Sequence, residues 1–312
     1  MSEILVSICV ITYNHCNYIR QCFDGILMQR TDFQFEIIVN DDCSTDGTIE
    51  IIKEYENRYP NLFRTIYHQE NQYSKGVRGM FSKFCFPRAQ GKYIALCEGD
   101  DYWTDAFKLQ KQVEFLENNP NYTICYSQCQ FYYENHKEVG EVYPLLQDKD
   151  CTITLNRMVR GYTMPQTLTV LFRKSSLLET NFHKCEYNND VILYYFLLKQ
   201  GYGFCIDESM GVYRIHSQGV WSGKDLHRQF AWELERKVAL CKTDESDDAV
   251  FFMLSQLSKP FSRRIIAKYP NIFCNAYSTL AKCCGRRVAL AAFCKRLIFN
   301  ENTDWVSSFI KR

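Results

Sequence analysis

From residue 6 to residue 118 the chain alternates short apolar runs with segments whose apolar residues recur at helical spacing, and few architectures accept that rhythm. Val6–Ile11, Phe35–Val39, Phe63–His68 and Tyr93–Cys97 read as buried strands. Between them, Ile19, Cys22, Phe23, Ile26 and Leu27 share one face of a helix over Tyr18–Met28, and Ile49, Ile52, Tyr55 and Tyr59 share a face of the next. Val77–Pro87 reads as a third helix. Thr104 reads as the N-cap of a fourth, Asp105–Asn118, with Leu109, Val113 and Leu116 inward and Asn119-Pro120 stopping it. Strands and helices in this order imply an α/β fold with a mostly parallel central sheet flanked by helices.

The later chain is less regular. Thr123–Tyr133, Thr167–Arg173, Gly203–Ile206 and Met210–His216 are expected to be strands, Thr154–Arg160 a short helix, and Asn189–Gln200 a buried helix closed by Gly201. After Gly223 the pattern is helical to the end, with the acidic loop Asp244–Asp248 between two helices. The expected division is a domain over residues 1–223 and a helical C-terminal extension over 224–312.

Charge bears on partners. The 37 basic and 36 acidic side chains leave a net charge of +1, which argues against a dedicated nucleic-acid binder, since that needs a basic surplus against phosphates. The balance is uneven: eleven Lys/Arg against two acids from Lys259 onward make the tail +9 and the body −8. In the tail, Lys282, Arg286 and Arg287 interleave with Val288, Leu290, Phe293, Leu297 and Ile298. Two accounts stay open, a helix packed on the body with its basic side in water, or a basic amphipathic face on anionic lipid. The sixteen cysteines are scattered, many within apolar runs, and read as reduced core residues of a cytosolic protein. They lack zinc-ligand spacing. The start, MSEILVSICVITYN, reads as a strand and not a signal peptide, and no apolar run approaches the roughly 18 residues of a membrane span.

In an open parallel sheet, ligands bind beyond the carboxyl ends of the strands. Three polar stretches fall there: Thr12-Tyr13-Asn14, Asp41-Asp42, and Glu98-Gly99-Asp100-Asp101. One acidic doublet alone is turn or capping chemistry, and chance alone supplies roughly four adjacent acidic pairs in such a chain. Two doublets on one rim repel, and a divalent cation or ligand donors relieve that repulsion. No phosphate-cradling glycine motif is present, because Gly201-x-Gly203 lacks a third glycine and follows a helix. A phosphate site here would draw positive charge from a carboxylate-bound metal, as a nucleotide-sugar site does.

The strings V-S-I-C-V-I-T-Y-N-H, E-I-I-V-N-D-D-C-S-T-D-G-T and G-K-Y-I-A-L-C-E-G-D-D-Y-W resemble, in order and spacing over about 120 residues, family-2 glycosyltransferases of the bacterial cell-surface polysaccharide type. The resemblance implies a single Rossmann-like GT-A domain and transfer of a sugar from a nucleoside diphosphate donor, with UDP as the expected nucleotide, to a hydroxyl of a glycan or lipid-linked saccharide, with inversion. It implies Thr12, Tyr13 and Asn14 along the nucleoside, Asp41 and Asp42 at the base with Asp42 the preferred contact, and Asp100 near the ribose or the metal waters. Asp101 is expected on Mg²⁺ or Mn²⁺ with His216 completing the shell, and Glu98 stands where the strict D-x-D pattern has its first acid. The general base is expected at Asp190, opening the helix after Glu186-Tyr187-Asn188-Asn189, with Glu186 as fallback. Val212-Tyr213-Arg214-Ile215-His216, with Gly219 and Trp221, resembles a Y-R-x-H segment whose Arg or His approaches the diphosphate. Gly76 and Arg78 fall where relatives reach the diphosphate, with Lys75 a competitor. The enzyme would work in the cytoplasm, at the inner membrane face if the tail binds lipid. Two other readings compete: a nucleotidyltransferase, which calls for a basic glycine-rich first loop where this chain has T-Y-N-H-C-N-Y, and a catalytically silent nucleotide-sugar binding or scaffold protein.

Overall fold

A computed structural model describes residues 3–144, 151–161, 164–178, 180–219, 225–258, 263–285 and 289. Among them ten strands form one sheet. Ile4–Thr12 (β1), Gln34–Asp41 (β2), Phe63–Tyr67 (β3) and Tyr93–Glu98 (β4) lie in the order β3-β2-β1-β4, all parallel. Helices Ile19–Leu27 (α1) and Thr48–Arg58 (α2) cross between them. The apolar runs are buried throughout: Val6, Ile8, Val10, Ile37, Val39, Ala95 and Cys97 are fully inaccessible, and Ile19, Cys22, Phe23 and Ile26 bring the apolar face of α1 into the same core.

The second half of the sheet turns mixed. Leu171–Arg173 (β9) is antiparallel to both β4 and Tyr122–Tyr133 (β6), and Tyr202–Ile215 (β10) runs parallel to β6. Short pieces complete it: Tyr102–Trp103 (β5) and Thr152–Ile153 (β8) on β10, and Glu138–Tyr143 (β7) on β6. The remaining helices are Lys108–Asn118 (α3), Leu155–Val159 (α4), Ser175–Leu178 (α5), Asp190–Gln200 (α6), Leu226–Thr243 (α7), Asp247–Ser258 (α8), Arg263–Lys268 (α9) and Pro270–Cys284 (α10). Every residue from Val191 to Leu198 is buried, so α6 is apolar on all sides.

Four expectations differ from the fold. Val77–Pro87 is not a regular helix; an irregular helical segment starts only at Phe81, because Gly76 and Gly79 hold left-handed φ values of 88° and 75°. Helix α3 begins at Lys108 with Phe107 rather than Thr104 in the N-cap position and no capping side chain, while Asp105 accepts the Phe107 amide at 2.6 Å; Tyr102–Trp103 is drawn into the sheet instead. Thr167–Thr169 forms a tight turn ahead of β9. The two expected strands from Gly203 to His216 are one strand, interrupted in register between Ile206 and Val212. Alongside Leu109, Val113 and Leu116, α3 also buries Lys108 and Gln112. The Lys108 ammonium sits 4.2 Å from the Trp103 ring centroid and donates to Gln112 Oε1 at 2.8 Å.

Contacts divide the chain into two units. The first comprises Met1–Leu155, Thr163–Thr180 and Asn188–Ser217 and holds the sheet. The second comprises Asn156–Tyr162, Asn181–Tyr187 and Gln218–Arg312; in it α7 and α8 pack together around Leu234, Phe252 and Met253. Among the described residues no helix is long and apolar enough to cross a membrane. The fifteen cysteines among the described residues, from Cys9 to Cys284, are free. Trp221 and, apart from Ala289, the basic tail from Arg286 onward lie outside the described residues.

Candidate active site

Strand register sets the rim. Thr12 pairs with Asp41 and Ile11 with Glu98, so the loops leaving β1, β2 and β4 start at the same level of the sheet. Asp42 N donates to Thr12 O at 2.9 Å and Gly99 N to Ile11 O at 2.9 Å, extending the pairing into the loops. Gly99 has no room for a side chain, since a Cβ there would lie 2.8 Å from Thr12 Oγ1 and 2.9 Å from Ile19 Cδ1. The acidic loop is therefore pressed onto the first-strand loop.

The first-strand loop is bound to the second. Asn14 holds φ +55°, its amide donates to Ser44 Oγ at 2.9 Å, and its Oδ1 accepts Thr45 N at 2.8 Å. His15 N donates to Thr48 Oγ1, and Cys16 N to Asp46 Oδ2. Bonds from Thr48 and Cys16 overcome the effect of burial and bring the Asp46 carboxyl down to about 2. Tyr13 is exposed, whereas Thr12 is buried and its Oγ1 meets no protein partner.

The two acidic doublets are used differently. Asp41 is fully buried, and its oxygens accept Ser44 Oγ at 2.5 Å and Ser44 N at 3.0 Å; burial still pulls its carboxyl above the usual range. Asp42 accepts Gln72 N at 2.7 Å on one oxygen and Tyr73 N at 3.0 Å on the other, anchoring the segment from Asn71 to Gly79. In that segment Arg78 donates Nη1 to the Tyr73 and Val77 carbonyls and lies 4.3 Å over the Tyr73 ring, and Lys75 is ion-paired to Glu70. The segment reaches the start of α6 at Gly79, where a Cβ would come within 2.6 Å of Asn188 O.

The second doublet is short of donors. Asp101 is 2% exposed; its Oδ1 accepts Arg214 N at 2.8 Å, while its equally buried Oδ2 meets no partner. Asp100, with 18% of its side chain exposed, places Oδ2 2.9 Å from His216 Nε2 and 3.8 Å from His15 Nε2. Burial would raise the Asp100 carboxyl, but His15 and the His216 hydrogen bond outweigh it and hold the group below the usual range. Burial, then Asp100 and Glu98, push Asp101 well up, and burial, then Asp100 and Asp190, push Glu98 up to about 8. Burial also keeps His15 below its usual value, and its Nδ1 has no protein partner.

Asp190 is the first residue of α6, and Asn189 caps the helix by accepting Ile192 N at 3.2 Å. Asn189 Nδ2 also donates to Asp190 Oδ1 at 2.8 Å, which orients the carboxylate. The first unit thus brings Glu98, Asp100, Asp190, His15 and His216 to one rim, whereas the fallback base Glu186 falls in the second unit. Asp101, expected on the metal, is buried, with Oδ1 held by the Arg214 amide. The residue that the sequence reading left out is His15, although it closes the quoted T-Y-N-H string; its proximity to Asp100 depends on the β1–β4 pairing and has no sequence signal of its own.

The donor set is hard oxygen plus imidazole. Among the described residues no three His, Cys, Asp or Glu side chains converge closely enough to enclose a metal. Two donors, Asp100 and His216, are in place, and Mg²⁺ and Mn²⁺ sites in nucleotide enzymes commonly take the rest from substrate phosphates and water. The unmet Asp101 Oδ2, and the Glu98 carboxyl that burial and then Asp100 and Asp190 push up to about 8, are acids whose charged forms a nearby cation would favour. The residues fit such an ion.

The family model Glycosyl transferase family 2 matches residues 7–172. An uncharacterized protein of Mycobacterium tuberculosis is 38% identical over 231 residues, 73% of this chain, and the chain spans only 64% of that relative's length. The putative teichuronic acid biosynthesis glycosyltransferase TuaG of Bacillus subtilis is 26% identical over 239 residues, covering 75% of this chain and 88% of TuaG. The structure of S. aureus TarS 1–349 in complex with UDP superposes with a TM-score of 0.63 over 93% of this chain and 87% of that one, at 17% identity, which shows a shared GT-A-like fold. With more than half the chain matched, across β1, β2 and β4 and the loops that follow them, the chain belongs to glycosyl transferase family 2.

Proposed function

We propose that the chain transfers one sugar from a nucleoside diphosphate sugar to a hydroxyl of a surface glycan or lipid-linked saccharide, with inversion. The observation that carries this reading is the convergence of Asp100, His216 and Glu98 beside Asp190 at the carboxyl ends of β1 and β4. UDP in the TarS structure supports a uridine donor, and the teichuronic acid assignment of TuaG supports a surface-glycan acceptor.

Asp42 keeps lone pairs beyond those given to Gln72 and Tyr73 and serves as acceptor for a base N–H. Thr12 Oγ1 lies inside the rim for a nucleoside contact. Asp100 and His216 would hold Mg²⁺ or Mn²⁺, which would make Asp100 rather than Asp101 the cation-facing acid. When bound, the ion supplies positive charge against the charge that builds on the leaving diphosphate. Asp190, oriented by Asn189, takes the acceptor's proton as its oxygen bonds to the anomeric carbon and the bond to the diphosphate oxygen breaks.

A screen of nucleotide sugars for Mn²⁺-dependent thermal stabilisation, followed by transfer assays with the best donor, tests this. Stabilisation by one UDP-sugar with metal, and transfer to a saccharide acceptor, is the expected outcome. Binding without any transfer or donor hydrolysis would instead point to the silent binding protein.

A further inference from the structure

The Y-R-x-H resemblance leads one to expect Arg214 on the diphosphate, but the side chain is engaged elsewhere. Arg214 is 8% exposed, and each of its three guanidinium nitrogens donates to a protein acceptor: Nε to Asp100 O at 2.8 Å, Nη1 to Glu134 Oε2 at 2.7 Å and Nη2 to Gln21 Oε1 at 2.7 Å. Its guanidinium carbon lies 4.8 Å from the Tyr18 ring centroid and 5.1 Å from that of Tyr102, with Tyr132 at 5.8 Å. Its backbone N–H is spent as well, on Asp101 Oδ1 at 2.8 Å.

These contacts come from three separate segments. Tyr18 is the N-cap of α1 and Gln21 lies in its first turn, Asp100 to Tyr102 form the acidic loop, and Tyr132 and Glu134 lie at the end of β6 and just past it. One side chain on β10 ties all three together. Residue 214 holds the acidic loop at two points, the Asp101 carboxylate and the Asp100 carbonyl, and His216, two residues on, takes Asp100 Oδ2 at 2.9 Å. With its carbonyl and its neighbour both fixed, Asp100 has only its side-chain torsions left to vary.

We infer that Arg214 is a positioning residue, a clamp that sets the acidic loop so that Asp100 faces the cation and donor, and that it is not itself a diphosphate ligand. The inference rests on the reading of Asp100 as a cation-holding residue. Lysine cannot substitute, because one ammonium cannot reach three acceptors that a planar fork reaches at once.

The test uses the full chain. In Arg214→Lys, hydrogen exchange of the amides from Glu98 to Trp103 should quicken about tenfold while β1 and β2 stay unchanged. Mn²⁺ affinity, titrated with UDP present, should fall about tenfold or more, and UDP affinity without metal should not move. Unchanged exchange in Glu98–Trp103 overturns the clamp, and so does a metal-free UDP affinity that falls in step with the Mn²⁺ affinity, which would make Arg214 a phosphate contact. Asp100→Asn separates the two readings: if it keeps full Mn²⁺ affinity, the cation assignment fails, while the exchange result still judges the clamp. Should Arg214→Lys not fold, Glu134→Ala removes one arm, and about threefold faster exchange in the same peptide is expected; none would overturn the proposal.

Discussion

Asp41-Asp42 and Asp100-Asp101 are the same two letters at the ends of neighbouring parallel strands, yet the fold treats them as opposites. At the first doublet all four carboxylate oxygens meet donors from nearby backbone or Ser44, so these acids knit the turn after β2 to the segment around Gln72. At the second, Asp101 Oδ2 is buried without a partner and Asp100 leans on two imidazoles. The first doublet ties neighbouring loops together through backbone and hydroxyl donors, and the second is buried among acids and imidazoles, an electrostatic setting that marks candidate sites.

The sharpest way to break that contrast is at the second rim. Asp100→Asn and Asp190→Asn should each lower transfer about a thousandfold, a size usual for loss of a charge-bearing or general-base carboxylate. They should differ in cause. Titration should find Mn²⁺-dependent nucleotide binding lost in Asp100→Asn and kept within a few-fold in Asp190→Asn; equal loss in both would dissolve the division of roles.

Thermal unfolding with and without Mn²⁺ and UDP measures the contrast directly. At about a hundred times the dissociation constant, the ligands should stabilise the wild type by about 2.7 kcal/mol. Asp100→Asn should lose that gain. Asp41→Ala should keep it but start about 1–3 kcal/mol less stable, because the buried Ser44 amide and hydroxyl lose their acceptor. If Asp41→Ala loses the metal response, Asp41 does more than hold the turn at Ser44.

Lys108 provides a smaller test, of burial away from the rim. Burial lowers its ammonium from 10.5 to about 7, against the opposing pull of Cys97, Cys125 and Asp105. Between these values the unfolded chain carries a proton that the folded chain lacks, so this residue makes stability rise with pH through that window. Lys108→Met should therefore gain stability of about 1–3 kcal/mol below pH 7, with the gain fading toward pH 10.5 in denaturant titrations. A gain independent of pH would show that packing, not charge, is at stake.

Strand and helix positions in the first 120 residues were legible because each element carries its own apolar period, and β1, β2, β4, α1 and α2 fall within a few residues of where that period puts them. The segment after β3 was not, since Gly76 and Gly79 break the helix that Val77, Phe81 and Phe84 otherwise spell. Nor was β5, whose two residues join the sheet only through Gly211 and Val212, more than a hundred positions away. Nor does the sequence mark the burial of Lys108, which follows from Trp103 and Gln112 closing around it.

The residues on the rim follow the same line. Local order alone determines that acids follow β2 and β4 and that Asp190 opens a helix, because strand ends and helix starts are set by near neighbours. Which carboxylate meets a donor depends on chain segments that are distant in sequence: Gln72 and Tyr73 for Asp42, Arg214 for Asp101, His15 and His216 for Asp100. The sequence could name Asp100 and Asp101 as a pair, but only the packing of β10 against the acidic loop decides that Asp101 turns inward and Asp100 stays at the mouth.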